Sequence, residues 1–334
     1  MQFERRGDHR RNEKLEALLG EINTLLGSVE EQAIQEYERN RHPLLLLVGN
    51  PRSGTTLFMQ WLASLGCFSY PTNLLSRFYG APYIGAKIQL MLTKHDFNNE
   101  IFDFNPQVPF ASRLGKTKGA LAPNEFWYFW RRFFPYGDIQ YLDEDGLGKV
   151  DSIGFLRELG AIEAAFEQPL AMKGHIINWN IPFIDQLLDK VLFVDIRRNP
   201  FYVIQSLLHA RLDYYGDLCA WHSYKPPEYS FLKDFDPYEQ VAGQVYYIKE
   251  AVDKGFRSID ENRKLIIDYD KFCNSPEKEF HEIFNKLKAQ GYNNKFEYTG
   301  EKKFKPAQKV KLSADEVDRV IRAYKKFSGE DIAP

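Results

Sequence analysis

The chain has 334 residues, 44% of them hydrophobic and 15% aromatic, so it can bury a sizeable core and is not a disordered protein. Its formal net charge of -2 excludes bulk attraction to nucleic acid or to an anionic membrane surface. Cys67, Cys219 and Cys273 are too widely spaced for a disulfide framework or a zinc site, and the polar start MQFERRGDHRRNEK lacks the apolar core of a signal peptide. A cytoplasmic protein without a transmembrane segment is therefore expected.

Leu15, Leu18, Leu19, Ile22, Leu25 and Leu26 recur at three- and four-residue steps and predict a helix over 12–39 with one apolar face. Residues 1–42 read as an N-terminal helical extension packed on the domain. The apolar run 43–49 reads as a buried strand, followed by a helix at 55–66. Further strands are expected at 67–70, 169–173 (PLAMK), 190–197 (KVLFVDIR) and 264–269 (KLIIDY). Helical patterns lie near 155–167, 200–211, 237–257, 276–289 and 313–327. Strands alternating with helices predict an α/β fold: a P-loop-type three-layer sandwich around a central parallel sheet of about five strands. Residues 43–334 read as a single domain. Within it the stretch 74–150, rich in aromatics and turn residues, breaks the alternation and reads as an insertion that shapes a substrate pocket.

The stretch LLLLVGNPRSGTTLF, residues 44–58, has the form of a strand, a tight loop and a helix start. Such a loop points backbone N–H groups and the positive end of a helix at one spot, which suits an anion. Arg52 adds a planar cation, and Ser53, Thr55 and Thr56 add hydroxyls around Gly54. The spacing from Gly49 to Gly54 matches the start of a nucleotide triphosphatase loop, but Thr55 stands where the lysine would be. A second strand–turn–helix, VLFVDIRRNPFYVIQS, ends its strand at Arg197–Arg198 and places Ser206 eight residues after Arg198. Strand ends of this kind are where α/β sheets bind ligands.

Together the two pieces resemble the sulfotransferases that use 3′-phosphoadenosine 5′-phosphosulfate (PAPS), in the form of bacterial members directed at carbohydrates or metabolites. Lys173-Gly174-His175 is similar to the K-T-H element of the cytosolic branch, and IIDYDKFCNSP resembles the strand whose tyrosine, here Tyr269, lies near the adenine. The resemblance covers about residues 43–290. It implies that Arg52, Ser53, Gly54, Thr55 and Thr56 wrap the 5′-phosphosulfate, and that Arg198 and Ser206 hold the 3′-phosphate. Sulfuryl transfer is a problem of in-line positioning and charge stabilisation. Arg52 and Lys173 are the cations expected at the leaving oxygen, with no metal. His175 is the first choice for the base that takes the hydroxyl proton, and Glu125 the second.

The chain also departs from the family. Leu57 replaces the aromatic that follows the threonine pair in the cytosolic branch, and Asn73 stands in the region where carbohydrate-directed branches carry a glutamate. The late loop that closes on the 3′-phosphate is not recognisable; Lys305 and Lys309 lie in its place. The aromatic segment NEFWYFWRRFFPYG and the residues Arg211, Trp221, His222 and Lys225 are expected to shape the acceptor pocket. A carbohydrate or glycolipid hydroxyl is the expected acceptor, and a phenolic or alcohol metabolite the alternative. Two other classes compete. A P-loop kinase would bind ATP with magnesium, though the loop lysine and the Walker B acids are missing. A non-catalytic anion-binding protein would tolerate loss of Lys173 and His175. A homo-oligomer is compatible with either; nucleic acid is not an expected partner.

Overall fold

Leu44–Val48 has no polar face, and such a strand is stable only where both of its sides are covered. The computed structural model, which describes residues 3–96, 98, 100 and 108–334, places all five side chains in the interior. In chain order the strands are β1 (Leu44–Val48), β2 (Ser112–Arg113), β3 (Lys116–Thr117), β4 (Ala171–Lys173), β5 (Val191–Arg197) and β6 (Lys264–Asp268). β2 and β3 form a small antiparallel hairpin. The other four make a parallel sheet in the order β4-β1-β5-β6.

The fifth strand expected at 67–70 is reduced to one bridge. Ser69 N donates to Pro169 O at 2.9 Å, and Ala171 N donates to Ser69 O at 2.9 Å. Pro71 has no N–H with which to extend the ladder.

Alternate residues of β1 feed two separate cores. Leu44, Leu46 and Val48 join Met172 and Phe193 under the helices Ser152–Phe166 and Ile181–Leu187. Leu45 and Leu47 join Leu192, Val194 and Ile267 under Thr55–Ser64 and Pro276–Ala289. The result is the expected three-layer sandwich. A third apolar cluster joins the helices Pro200–Tyr215, Pro237–Arg257 and Ala314–Ser328 through Phe201, Leu207, Val241 and Tyr324. Among the described residues no helix is long and apolar enough to cross a membrane.

The N-terminal helix Glu13–Ala33 is bonded to the start of the 74–150 stretch; residues 1–2 ahead of it, and 97, 99 and 101–107 within that stretch, lie outside the described residues. Asn23 Nδ2 donates to Arg77 O at 2.8 Å, and its Oδ1 accepts from Gly80 N at 2.6 Å. Both oxygens of Glu30 accept from the first amides of the helix Pro82–Leu92, Tyr83 N and Ile84 N. Glu30 thus caps that helix where the dipole favours a negative charge.

From β1 the chain runs to the edge at Ser69, returns as β4, and then crosses to β5 and β6 on the other side of β1. The carboxyl ends of β4, β1 and β5 therefore open side by side at a topological switch point.

Candidate active site

β1 ends in a loop with three left-handed positions: Gly49 at φ 100°, Arg52 at φ 67° and Gly54 at φ 108°. Backbones of this form gather amides into an anion-binding concavity. Two of the glycines are also required by space. A side-chain carbon on Gly49 would collide with the Asp195 carboxylate, and one on Gly54 with the ring of Tyr269. The loop is held from outside. Asn178, fully buried, accepts from Gly49 N at 2.9 Å and donates to Gly49 O at 2.9 Å. Asn50 Nδ2 donates to Val245 O at 3.0 Å, and Ser53 Oγ donates to Asn50 O at 2.9 Å. Gly54→Val should therefore destabilise the fold by about 1–3 kcal/mol through backbone strain alone. Calorimetric unfolding checks it; an unchanged Tm would show that the loop moves aside at no cost.

At the end of β4, Lys173 Nζ donates to Thr56 Oγ1 at 3.0 Å and pairs with Glu125 Oε1 at 3.1 Å. The other Glu125 oxygen accepts from Trp127 Nε1 at 2.8 Å. Burial pushes the Glu125 carboxyl up, but Lys173, His175 and the two hydrogen bonds outweigh it and hold the pKa at about 2. The Glu125 side chain is 39% exposed, toward the cavity, which keeps it accessible to water as a carboxylate.

His175 follows β4 at the start of the short turn His175–Ile177. It is 2% exposed, and neither ring nitrogen has a hydrogen-bond partner among the described residues. Its ring stacks on Tyr224, centroids 5.6 Å apart. Burial, then repulsion from Lys173, lower its pKa to about 4 against the pull of Glu125. At neutral pH it is an uncharged imidazole with an unused lone pair.

A second group of charges lies after β5. The Arg198 guanidinium donates to Arg52 O at 3.2 Å and to Ala307 O, and lies over the rings of Tyr202 and Tyr269 at 5.3 and 5.0 Å. Its Nε is buried without a partner among the described residues. Ser206 Oγ accepts from Arg52 Nε at 3.0 Å. Arg198 and Ser206 are thus joined through Arg52 and do not bond directly. The chain at 304–311 passes over this region: Phe304 N donates to Cys273 O at 2.7 Å, and Gln205 Nε2 donates to Lys309 O at 3.0 Å. It reaches Arg198 and Gln205 by its backbone, while the Lys305 and Lys309 side chains are exposed.

Arg52, Thr55, Thr56, Glu125, His175 and Tyr224 line one cavity of about 530 Å³. Its mouth is roofed by two segments far apart in sequence. The turn of the β2–β3 hairpin sits over the loop: a carbon on Gly115 would lie 2.9 Å from Arg52 Nη1. The N-terminal segment adds Arg6 N, bonded to Tyr214 O at 2.8 Å, and His9, bonded to Asp213 at 2.7 Å and stacked on Tyr214 at 3.7 Å. Arg113 of the hairpin also reaches Asp213, at 2.8 Å.

Several residues expected at the pocket lie elsewhere. Phe126, Phe129, Trp130, Phe133 and Phe134 are buried in the first core, and of the NEFWYFW segment only Asn124, Glu125 and Trp127 reach the cavity. Arg211 is fully buried; it donates to Leu218 O and Gln240 Oε1 and packs on Trp221, so it braces the fold. Lys225 pairs with Asp138 at 2.5 Å, and only His222 of that group lines the cavity. Conversely, Asn178, Tyr224 and the hairpin were not singled out by any motif. Each acts across a long sequence separation, which a linear pattern does not show.

No family model matches the sequence, and no curated protein does. Solved structures do. Sulfotransferase STF1 of Mycobacterium tuberculosis H37Rv aligns over 80% of this chain and 72% of its own, with a TM-score of 0.51 and 10% identity. Sulfotransferase STF9 of Mycobacterium avium aligns over 98% of this chain and 79% of its own, with a TM-score of 0.50 and 13% identity. By these alignments the chain has the sulfotransferase fold.

Proposed function

We propose that this protein is a PAPS-dependent sulfotransferase acting on a hydroxyl of a carbohydrate or glycolipid. The observation that carries the reading is the meeting of Arg52, Thr56, Glu125 and His175 at one cavity, with Lys173 bonded to Thr56 and Glu125 and Arg198 bonded to the Arg52 carbonyl. The residues present suit a donor with two anionic ends. Arg52 has no carboxylate partner within the described residues, and Arg198 keeps an unpartnered Nε over Tyr269. When bound, the donor supplies a sulfuryl group on a phosphate leaving group.

In this reading the loop amides, Arg52, Ser53, Gly54, Thr55 and Thr56 bind the phosphosulfate, and Arg198, Ser206 and Tyr269 bind the 3′-phosphate and adenine end. Arg52 and Lys173 stabilise the charge that grows on the bridging oxygen. His175 takes the proton of the acceptor hydroxyl on a ring nitrogen. Glu125, the other choice for base, has both oxygens engaged and a pKa of about 2, which makes it a poor proton acceptor; it orients Lys173. Residues 43–334 work as one domain in the cytoplasm, with 1–42 appended and 74–150 shaping the pocket. A phenolic or alcohol metabolite is the second reading. It is favoured by the stacked pair Trp127–Tyr224, 5.0 Å apart, two rings that both line the cavity.

Titration calorimetry with 3′-phosphoadenosine 5′-phosphate, ADP and ATP–Mg²⁺ tests the donor site. The 3′-phosphate compound is expected to bind best. Arg198→Ala should weaken it roughly tenfold to hundredfold, the worth of hydrogen bonds to a charged group. Preference for ATP–Mg²⁺ would favour a kinase, and no binding of any of the three a non-catalytic protein.

A further inference from the structure

The cavity is lined by four cations, Arg5, Arg52, Arg77 and Lys116, and by a single carboxylate, Glu125. That carboxylate is already paired with Lys173. Arg52 belongs to the donor loop. The other three cations are surplus to the donor chemistry set out above.

All three are exposed at the cavity rim and short of protein partners. Arg5 and Arg77 line the cavity, and among the described residues their guanidinium groups have no hydrogen bond or ion pair. Among the described residues Lys116 Nζ has His9 Nδ1 at 3.4 Å, the Tyr214 ring at 5.2 Å and the more distant charge of Asp8. Burial and then Arg5 lower the Lys116 pKa, so the two cations repel each other. Asp8 offsets part of this repulsion, and an anion in the cavity would remove the remainder.

Their backbones are nevertheless fixed. Arg6, next to Arg5, is bonded to Tyr214 O; Arg113, in the same hairpin as Lys116, is bonded to Asp213; Arg77 O is held by Asn23. Arg77 also lines a neighbouring hollow together with Lys118, so the positive rim extends outward. These exposed cations stand on anchored backbone around one cavity, an arrangement that suits an anionic ligand.

We propose that Arg5, Arg77 and Lys116 form a second anion site, which takes a phosphomonoester carried by the acceptor. The inference rests on the sulfotransferase reading for the word acceptor and narrows it to a phosphorylated sugar or a phosphorylated glycolipid headgroup. The charge count selects phosphate. A phosphomonoester carries about -1.5 to -2 at neutral pH and offers three acceptor oxygens, whereas a carboxylate is satisfied by one guanidinium fork. The site shares the cavity with His175, and about 530 Å³ leaves room for a small sugar between them.

The test is a titration of the full-length protein saturated with 3′-phosphoadenosine 5′-phosphate. The probes are glycerol 3-phosphate, glycerate and glycerol, which share one skeleton. Glycerol 3-phosphate is expected to bind at least tenfold more tightly than glycerate, and glycerol not measurably. Arg77→Ala, and separately Arg5→Ala with Lys116→Ala, should weaken glycerol 3-phosphate tenfold or more, with nucleotide affinity and Tm unchanged. Binding of the phosphate probe that equals that of glycerol, or that survives both variants, overturns the site. Equal binding of glycerate overturns its preference for phosphate. If the nucleotide itself does not bind, the donor reading fails instead. The comparison of wild type with Arg77→Ala, without nucleotide, then still decides the cation site.

Discussion

Replacing Lys173 by methionine is expected to lower kcat by about 10²- to 10³-fold, the usual cost of removing one preorganised donor from a developing charge. Methionine keeps the length and apolar bulk of the stem and removes only the ammonium. The lost contacts are those to Thr56 Oγ1 and Glu125 Oε1, at 3.0 and 3.1 Å. In the proposed mechanism the cation acts on charge that exists only in the transition state, so donor affinity should change little while kcat falls. Single-turnover kinetics beside titration of 3′-phosphoadenosine 5′-phosphate separates the two. The Glu125 carboxyl, deprived of its cation, should titrate above its present pKa of about 2. A variant with wild-type kcat would remove Lys173 from the leaving-group site and with it the central element of the proposed chemistry.

Replacing His175 by alanine should cost about 10²- to 10⁴-fold in kcat, the range for a general base, with nucleotide affinity nearly intact. The pH dependence is the more diagnostic part. An ordinary imidazole loses its base form below about pH 6.5. His175 is held to a pKa of about 4, so the neutral form persists through mildly acid solution. The acid limb of kcat/KM should therefore lie near pH 4, and the His175→Ala variant should lack it. An acid limb at 6.5 that survives the substitution would place the base elsewhere.

The same residue affects stability, with a definite sign. The unfolded chain takes up the proton near 6.5, the folded chain only near 4. Below 6.5 the unfolded state thus binds more protons. The stability associated with neutral His175 is complete above 6.5 and is lost as pH falls toward 4, by up to about 3 kcal/mol. Urea midpoints at pH 7 and pH 4.5 should differ less in His175→Gln than in the wild type.

Much of the scaffold was readable because its residues state their environment locally. The run Leu44–Val48 has no polar side to turn outward, so a strand covered on both faces follows. Gly49 and Gly54 bracket a loop that only left-handed positions can close, and the helix after it begins where expected, at Thr55. The residues that surround the cavity were harder to place. Trp130 and Trp127 are neighbours of the same type, yet one is in the core and the other on the cavity wall; only the direction of the helix that carries them decides. The hairpin at Ser112–Thr117 turns through Leu114 and Gly115, both at positive φ, without the Asn-Gly or Asp-Gly pair that announces such turns. Arg211 looked like a pocket cation but is enclosed by Leu218, Gln240 and Trp221, partners brought up by the next turns of chain. Asn178 locks Gly49 from 129 residues away, and nothing in its own surroundings marks it.

The bond between Arg52 Nε and Ser206 Oγ ties together two residues that the proposal assigns to opposite ends of the nucleotide. In the proposed donor complex Ser206 turns to the 3′-phosphate, and Arg52 is released toward the sulfuryl end. Occupying one end of the nucleotide thus frees the cation that the other end needs, and each half of the molecule prepares the seat of the other. Fragments carrying a single half would have to break the bond without the return that the whole nucleotide provides. The donor would load as a unit.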